Sequence, residues 1–332
     1  MIMRLHEDKD AFRVLLESIH KRTGYRADVL EKDYYVLLIL HELADFQKDG
    51  LPAYFKGGTA LYKALKTTNR FSEDINLSVD TRGCSRTQND KRLERAVKRY
   101  ASLPRDNSQG KTNRSEVTAV YTYEPITAFD ENDALQRFGK LKIEATSFTI
   151  SEPVENLEAS AMIYDMATDE QKHILKTVYG IQPFCIQTIT LERIFVDKLF
   201  AAEAYVRNST VNHRAFEAAK HIYDLTVIAD HPKICALFDD ADKLEHLLEI
   251  RMEEEQGRLD GISGIRPTEF VFFTQTGSNE NVRKAYETMQ NQYVLRDCDR
   301  IDFQTAVKAL MMIQEKLLKN TAWASCGKSY TQ

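Results

Sequence analysis

The sequence predicts an α+β chain, with strands and helices mixed through its first half and a mostly helical second half. Three observations predict it. Residues 74–80 alternate, with Asp74, Asn76, Ser78 and Asp80 on one face and Ile75, Leu77 and Val79 on the other, the period of a half-buried strand. Ala53-Tyr54-Phe55-Lys56 runs straight into Gly57-Gly58, so a short strand turns at once into a short helix over Thr59 to Lys66. After Thr190 the apolar spacing becomes helical, with helices predicted at 190–206, 213–229, 231–255, 279–292 and 303–318. The implied organisation is a core of residues 1–189 followed by a helical domain of residues 190–332.

The remaining elements follow in order. The first 45 residues read as helical, with Asp28 as a cap before the broad apolar face of Val29, Tyr34, Val36, Leu37, Leu40 and Leu43. Beyond residue 80 the pattern gives a helix near Asp90 to Ala101, a polar loop from Pro104 to Ser115, and strands at Val117 to Tyr123, Leu141 to Ile150 and Pro183 to Ile189. Tyr121 and Tyr123 alternate on their strand and either pack or stack a base. The tail from Thr321 reads as frayed. Its Cys326-Gly327-Lys328-Ser329 lacks the upstream glycine, strand and helix of a phosphate-binding loop.

Composition narrows the function classes. The 332 residues are 43% hydrophobic and 29% charged, as in ordinary globular proteins. No apolar run approaches the roughly 18 residues of a membrane span, and the charged N-terminus does not read as a signal peptide. Five scattered cysteines show neither zinc nor redox spacing, which fits a reduced, cytoplasmic protein. No Gly-x-Ser-x-Gly elbow suggests a serine hydrolase, and His41, His213 and His221 are lone helical histidines. The net charge of −5 does not mark a polyanion binder, yet residues 82–114 hold ten Lys/Arg against three acids. That stretch is either a solvated face or a phosphate-backbone contact.

The chemistry concentrates in two short segments. Glycines at a strand-to-helix turn let backbone N–H groups approach an anion. An acidic residue at a strand end beside such a turn can hold Mg²⁺ against the same phosphates. Phosphoryl transfer needs mainly positioning and charge neutralisation, so Gly58-Thr59 and Asp74 supply most of its demands.

These segments carry a resemblance. Lys56-Gly57-Gly58-Thr59-Ala60-Leu61, followed by Arg70-Phe71-Ser72-Glu73-Asp74-Ile75, resembles the first motif of AbiEii/AbiGii-type nucleotidyltransferases, the Gly-Ser/Thr…Asp-x-Asp signature of the DNA polymerase beta superfamily. Glu31-Lys32-Asp33-Tyr34 resembles the family's N-terminal helix, and Lys142-Ile143-Glu144 its strand with a further carboxylate. Glu192 to Leu199 resembles the helix with a nucleotide-contacting lysine, here Lys198. His221-Ile222-Tyr223-Asp224-Leu225 resembles the late Tyr-Asp-Leu motif. The matches span about residues 28–228.

The resemblance implies a mixed nucleotidyltransferase sheet and an NTP lying between the two halves, bound by Lys56, Gly57, Gly58, Thr59, Ser72 and Lys198. It implies Mg²⁺ or Mn²⁺ on Asp74, Asn76 and Glu144, with Lys198 and Asp224 completing the catalytic set. It further implies transfer of a nucleoside monophosphate to RNA, of the tRNA 3′-end kind, by the toxin of a toxin–antitoxin or abortive-infection system with a partner antitoxin. Arg92, Arg95 and Arg99 would then hold the RNA.

The sequence departs from the motif at Asn76, where the family usually has a second Asp. An amide oxygen can ligate a cation but brings no charge, and one unit charge near 4 Å is worth roughly 4 kcal/mol of gross attraction at an effective dielectric of ~20. Two alternatives follow: an NTP-binding regulatory protein without turnover, or the same transfer aimed at a protein hydroxyl. Three of these residues also have simpler roles open to them. Glu144 can pair with Lys142, Lys198 can snorkel from its apolar stripe, and Asp224 can pair with Lys220 four residues earlier.

Overall fold

Helix α1 (Lys9–Thr23) starts at Asp8, whose side chain accepts the Ala11 amide, and leads into α2 (Ala27–Lys48). The computed structural model describes residues 4–113, 115–128, 138–148, 152–256, 262 and 264–320. Arg114, residues 149–150 and the tail with Cys326-Gly327-Lys328-Ser329 lie outside them. Two compact units emerge, one of residues up to 66 and 71–189, the other of residues 67–70 together with those from 190 onward.

In the first unit, α2 is buried on every side from Asp28 to Leu37, the pattern of an interior helix. Asp28 is not its cap: Arg26 precedes the helix, and Asp28 sits in the first turn, ion-paired to the Arg26 guanidinium at 2.6 Å. A seven-stranded mixed sheet runs in the order β3-β4-β5-β2-β1-β7-β6. Its strands are β1 (Ala53–Lys56), β2 (Ile75–Val79), β3 (Arg105–Thr112), β4 (Glu116–Thr122), β5 (Lys140–Thr146), β6 (Val154–Ala159) and β7 (Phe184–Ile189). β1 pairs antiparallel with β2 and parallel with β7, while β2 pairs parallel with β5. Between β1 and β2 the chain forms α3 (Gly57–Lys63), and between β2 and β3 it forms α4 (Arg86–Lys98).

Phe55, Ile75, Leu77, Val79, Ile143 and Tyr121 fill the apolar side of the sheet. Helices cover it. The Tyr121 hydroxyl donates to the Val97 carbonyl of α4, Tyr123 stacks on Tyr35 of α2 with ring centroids 4.0 Å apart, and the Gln47 amide donates to the Ala53 and Gln187 carbonyls. Both tyrosines therefore pack.

Two strands were not expected. Residues 105–112, read as a loop, form edge strand β3, polar and exposed along its length but hydrogen-bonded to β4, with a register shift between Asp106 and Gly110. At Gly110 (φ +132°) a Cβ would lie 2.7 Å from the Thr118 carbonyl oxygen, so only glycine fits there. β6 is the other edge, paired antiparallel with β7. Between them lie the short α5 (Met162–Asp165) and α6 (Asp169–Thr177), the latter opened by a Thr168/Gln171 capping box.

In the second unit, α7 (Leu191–Arg207) packs on α8 (Asn212–Ile228), which also meets α12 (Glu280–Tyr293) and α13 (Phe303–Lys319). The segment expected as one helix over 231–255 is two, α9 (Pro232–Asp239) and α10 (Ala241–Gln256). Asp240 breaks it: its backbone leaves the helical region and its side chain accepts the Lys243 amide at 3.0 Å. The four-residue α11 (Phe272–Gln275) follows α10. Among the described residues no helix is long and apolar enough to cross a membrane.

Candidate active site

Side chains two residues apart on a strand share a face, and the register of three strands does the rest. Lys56 of β1 lies opposite Asn76 of β2, and Asn76 lies beside Glu144 of β5. Asp74, two residues before Asn76, precedes the strand on the same face and is half-buried, like Lys56, Asn76 and Glu144. The opposite face is apolar, so this polar row is the side of β1, β2 and β5 available for chemistry. Lys142 forms an ion pair with Glu144, the pairing their shared strand face allows. Burial alone would lower the Lys142 ammonium, but Glu144 first and Asp74 next raise it above the ordinary lysine value. The Lys56 ammonium donates to Thr146 Oγ1 at 3.1 Å.

The glycine turn abuts this row. Gly57 has φ +81°, and a Cβ there would meet the Asn76 side chain at 3.2 Å. Its bare backbone thus leaves room for Asn76 while the chain enters α3, whose first-turn N–H groups have no intrahelical partners. Thr59 is fully buried. Its hydroxyl lies 2.5 Å from the Asp74 carbonyl oxygen and 2.9 Å from Ser72 Oγ, so both hydroxyls tie the turn to the approach of β2. Glu73 points away from the row and lies 3.2 Å from the Lys32 ammonium.

Asp74, Asn76 and Glu144 offer oxygen donors only, two carboxylates and one amide. Among the described residues no three His, Cys, Asp or Glu side chains converge on one point. Such a set fits a hard divalent cation of the Mg²⁺ kind, which uses one or two carboxylates and takes its other ligands from phosphates and water. It does not fit zinc.

In the second unit Lys198 and Asp224 face each other. Lys198 is 4% exposed and does not snorkel; its ammonium lies 2.6 Å from Asp224 Oδ2. The Arg70 guanidinium grips both Asp224 oxygens, at 3.0 and 2.8 Å. Lys220 instead pairs with Glu217 at 2.8 Å. Burial pulls the Lys198 pKa down against the charge of Asp224, and Arg70 adds to the lowering. Burial would raise the Asp224 carboxyl, but its two cations hold it well below the usual carboxylate range. His221, stacked on Tyr205, has its pKa lowered by burial and then by Lys198.

Of the basic residues singled out, Arg95 and Arg99 are exposed, Arg95 with its guanidinium 5.9 Å from the centre of the Phe46 ring. Arg92 is half-buried and donates to the Asp80 carbonyl at 2.7 Å. Arg70 as partner of Asp224 was not foreseen. Nor was Lys63, buried at the end of α3 and ion-paired to Asp33. The available signal was a run of charges, Glu31 to Asp33, next to the apolar run Tyr34 to Leu40 of the same helix.

The model of the nucleotidyl transferase AbiEii toxin of type IV toxin–antitoxin systems matches residues 39–309. Among solved structures, MenT4, a nucleotidyltransferase toxin of Mycobacterium tuberculosis, is 15% identical with a TM-score of 0.48, over 90% of this chain and 98% of that one. A candidate nucleotidyltransferase of H. pylori is 16% identical with a TM-score of 0.41, over 89% and 97%. No curated protein matches the sequence.

Proposed function

Because the chain belongs to the nucleotidyl transferase AbiEii toxin family and is a nucleotidyltransferase, we propose that it moves a nucleoside monophosphate from an NTP to the 3′ hydroxyl of an RNA of the tRNA kind, releasing pyrophosphate. In this reading it acts as a toxin held in check by an antitoxin. The observation that supports it best is the row Lys56, Asn76, Glu144 across three paired strands, with Asp74 at its entrance and Gly57 against it.

The triphosphate lies along this row. Backbone N–H groups at Gly57, Gly58 and Thr59 donate to its oxygens, and Lys56 and Lys142 balance its charge. Asp74, Asn76 and Glu144 hold Mg²⁺ or Mn²⁺, which when bound neutralises phosphate charge and lowers the cost of deprotonating the acceptor hydroxyl. Thr59 and Ser72 fix the distance between turn and carboxylate. Within the second unit, Asp224 keeps the Lys198 ammonium oriented at 2.6 Å. Arg95 and Arg99 contact the RNA backbone.

A labelling assay tests the reading. Purified protein with Mg²⁺ or Mn²⁺, each α-labelled NTP in turn and total RNA should label an RNA band, and Asp74→Ala should abolish it. Label in protein instead would discard the RNA acceptor while keeping the chemistry. Asn76 supports a second reading, nucleotide binding without turnover. Measurable NTP binding without label, with activity appearing only in Asn76→Asp, would establish that one.

A further inference from the structure

Glu31, Lys32 and Asp33 are consecutive residues of α2, each no more than 1% exposed, and each is bound to a different segment. Glu31 accepts the backbone amides of Ile126 and Thr127 at 2.8 and 3.0 Å. Lys32 reaches Glu73, the residue before Asp74, at 3.2 Å. Asp33 is ion-paired to Lys63, the last residue of the helix that opens at Gly57, and accepts the Met162 amide at 2.7 Å. The Lys63 ammonium also donates to the Ser160 carbonyl at 3.0 Å.

Stability alone does not call for such charges. A buried ion pair is often matched or bettered by apolar residues of the same volume, because desolvation offsets the attraction. An ion pair does select one partner atom, and thereby fixes where a backbone runs. Two of the segments anchored here, those holding Glu73 and Lys63, are the ones on which the proposed chemistry depends, and a reacting constellation must be held within about 0.5 Å.

We infer that Lys32 and Asp33 are positioning residues of the nucleotide site: Lys32, through Glu73, sets the height of Asp74 over the sheet, and Asp33, through Lys63, sets the axis of α3 and so the glycine turn. The inference rests on the proposed roles of Asp74 and Gly57–Thr59. It makes the two pairs separable. Loss of the first should act on the reacting carboxylate and lower kcat; loss of the second should act on phosphate binding and raise KM for the NTP.

The test uses full-length protein in which each pair is neutralised together, Lys32→Met with Glu73→Gln and Asp33→Asn with Lys63→Met. Melting temperature, kcat, KM for the NTP and amide hydrogen exchange of residues 57–63 and 72–76 are measured in parallel. The first variant should lose about 100-fold in kcat, the size expected of a displacement near 1 Å, with faster exchange confined to 72–76. The second should raise KM about tenfold, an affinity loss of ~1.4 kcal/mol, with faster exchange at 57–63. Should a paired variant not fold, Glu73→Gln alone carries the first set of readouts and Asp33→Asn alone the second. Stable variants with wild-type kcat, KM and exchange would overturn the inference, as would losses that simply track melting temperature. A wild type that transfers no nucleotide would defeat the proposed function instead, and the exchange pattern would still decide the positioning role.

Discussion

Asp224 shows how much one buried carboxylate can hold. It is fully buried and faces Arg70 and Lys198, so Asp224→Asn strands two cations and should cost about 3–5 kcal/mol of unfolding free energy, the range for breaking a buried pair from one side. Denaturant titration at neutral pH measures it. The pH dependence has a definite sign. A carboxyl lowered by folding adds stability that is complete above its unfolded value, roughly pH 4, and is lost as pH falls toward the folded value. Wild type should weaken on acidification below about pH 4, and Asp224→Asn should show a flatter acid limb; equal slopes would mean that Asp224 is not the group responsible. The sequence named Asp224 and Lys198 through motif resemblance, but it could not name Arg70. The partner is 154 residues away, and nothing local distinguishes an arginine that grips a distant carboxylate from one facing water.

Elements were legible where burial has a period. β2 and β5 alternate cleanly, and α7, α8, α12 and α13 carry apolar stripes, so all were readable within a residue or two except the C-terminal end of β5, which closes at Thr146 and not at Ile150. β3 was not, because an edge strand with exposed polar side chains on both faces is held by ladder hydrogen bonds alone. The α9–α10 break was missed because its cause is one Asp turned to cap the next helix. The glycine turn carries the element-scale prediction. Gly57→Ala adds a Cβ at positive φ against Asn76, so it should destabilise by about 1–3 kcal/mol and raise KM for the NTP. A variant with wild-type melting temperature and KM would show that neither the turn nor its approach to Asn76 needs a glycine. At the end of α4, Arg95→Glu with Arg99→Glu at the helix's C-cap should weaken RNA binding and reduce the slope of log affinity against log salt by roughly one per lost phosphate contact. Unchanged slopes would remove this face from the RNA path.

At the scale of the whole molecule, the change of pattern after Thr190 was readable, since strand alternation gives way to helical spacing there. The membership of Thr67–Arg70 was not: these four residues cluster with the second unit although the chain on both sides of them belongs to the first. Arg70 is their anchor, bonded to Asp224 and bridged to Val294, while the Asn69 carbonyl accepts the Leu295 amide at 3.3 Å. A fragment of residues 190–332 would therefore keep Asp224 buried without its arginine. It should unfold more readily than the intact chain, whereas adding residues 1–189 in trans should restore its melting transition.

That tetrapeptide also constrains how such a protein can change over generations. The boundary at residue 190 invites exchange of the helical half for another, yet a recombinant joined there would bring in helices whose acidic residue expects an arginine encoded more than a hundred codons upstream. A chimaera that keeps residues 190–332 of this chain but loses Arg70 should fail at Asp224 before it fails at the candidate active site.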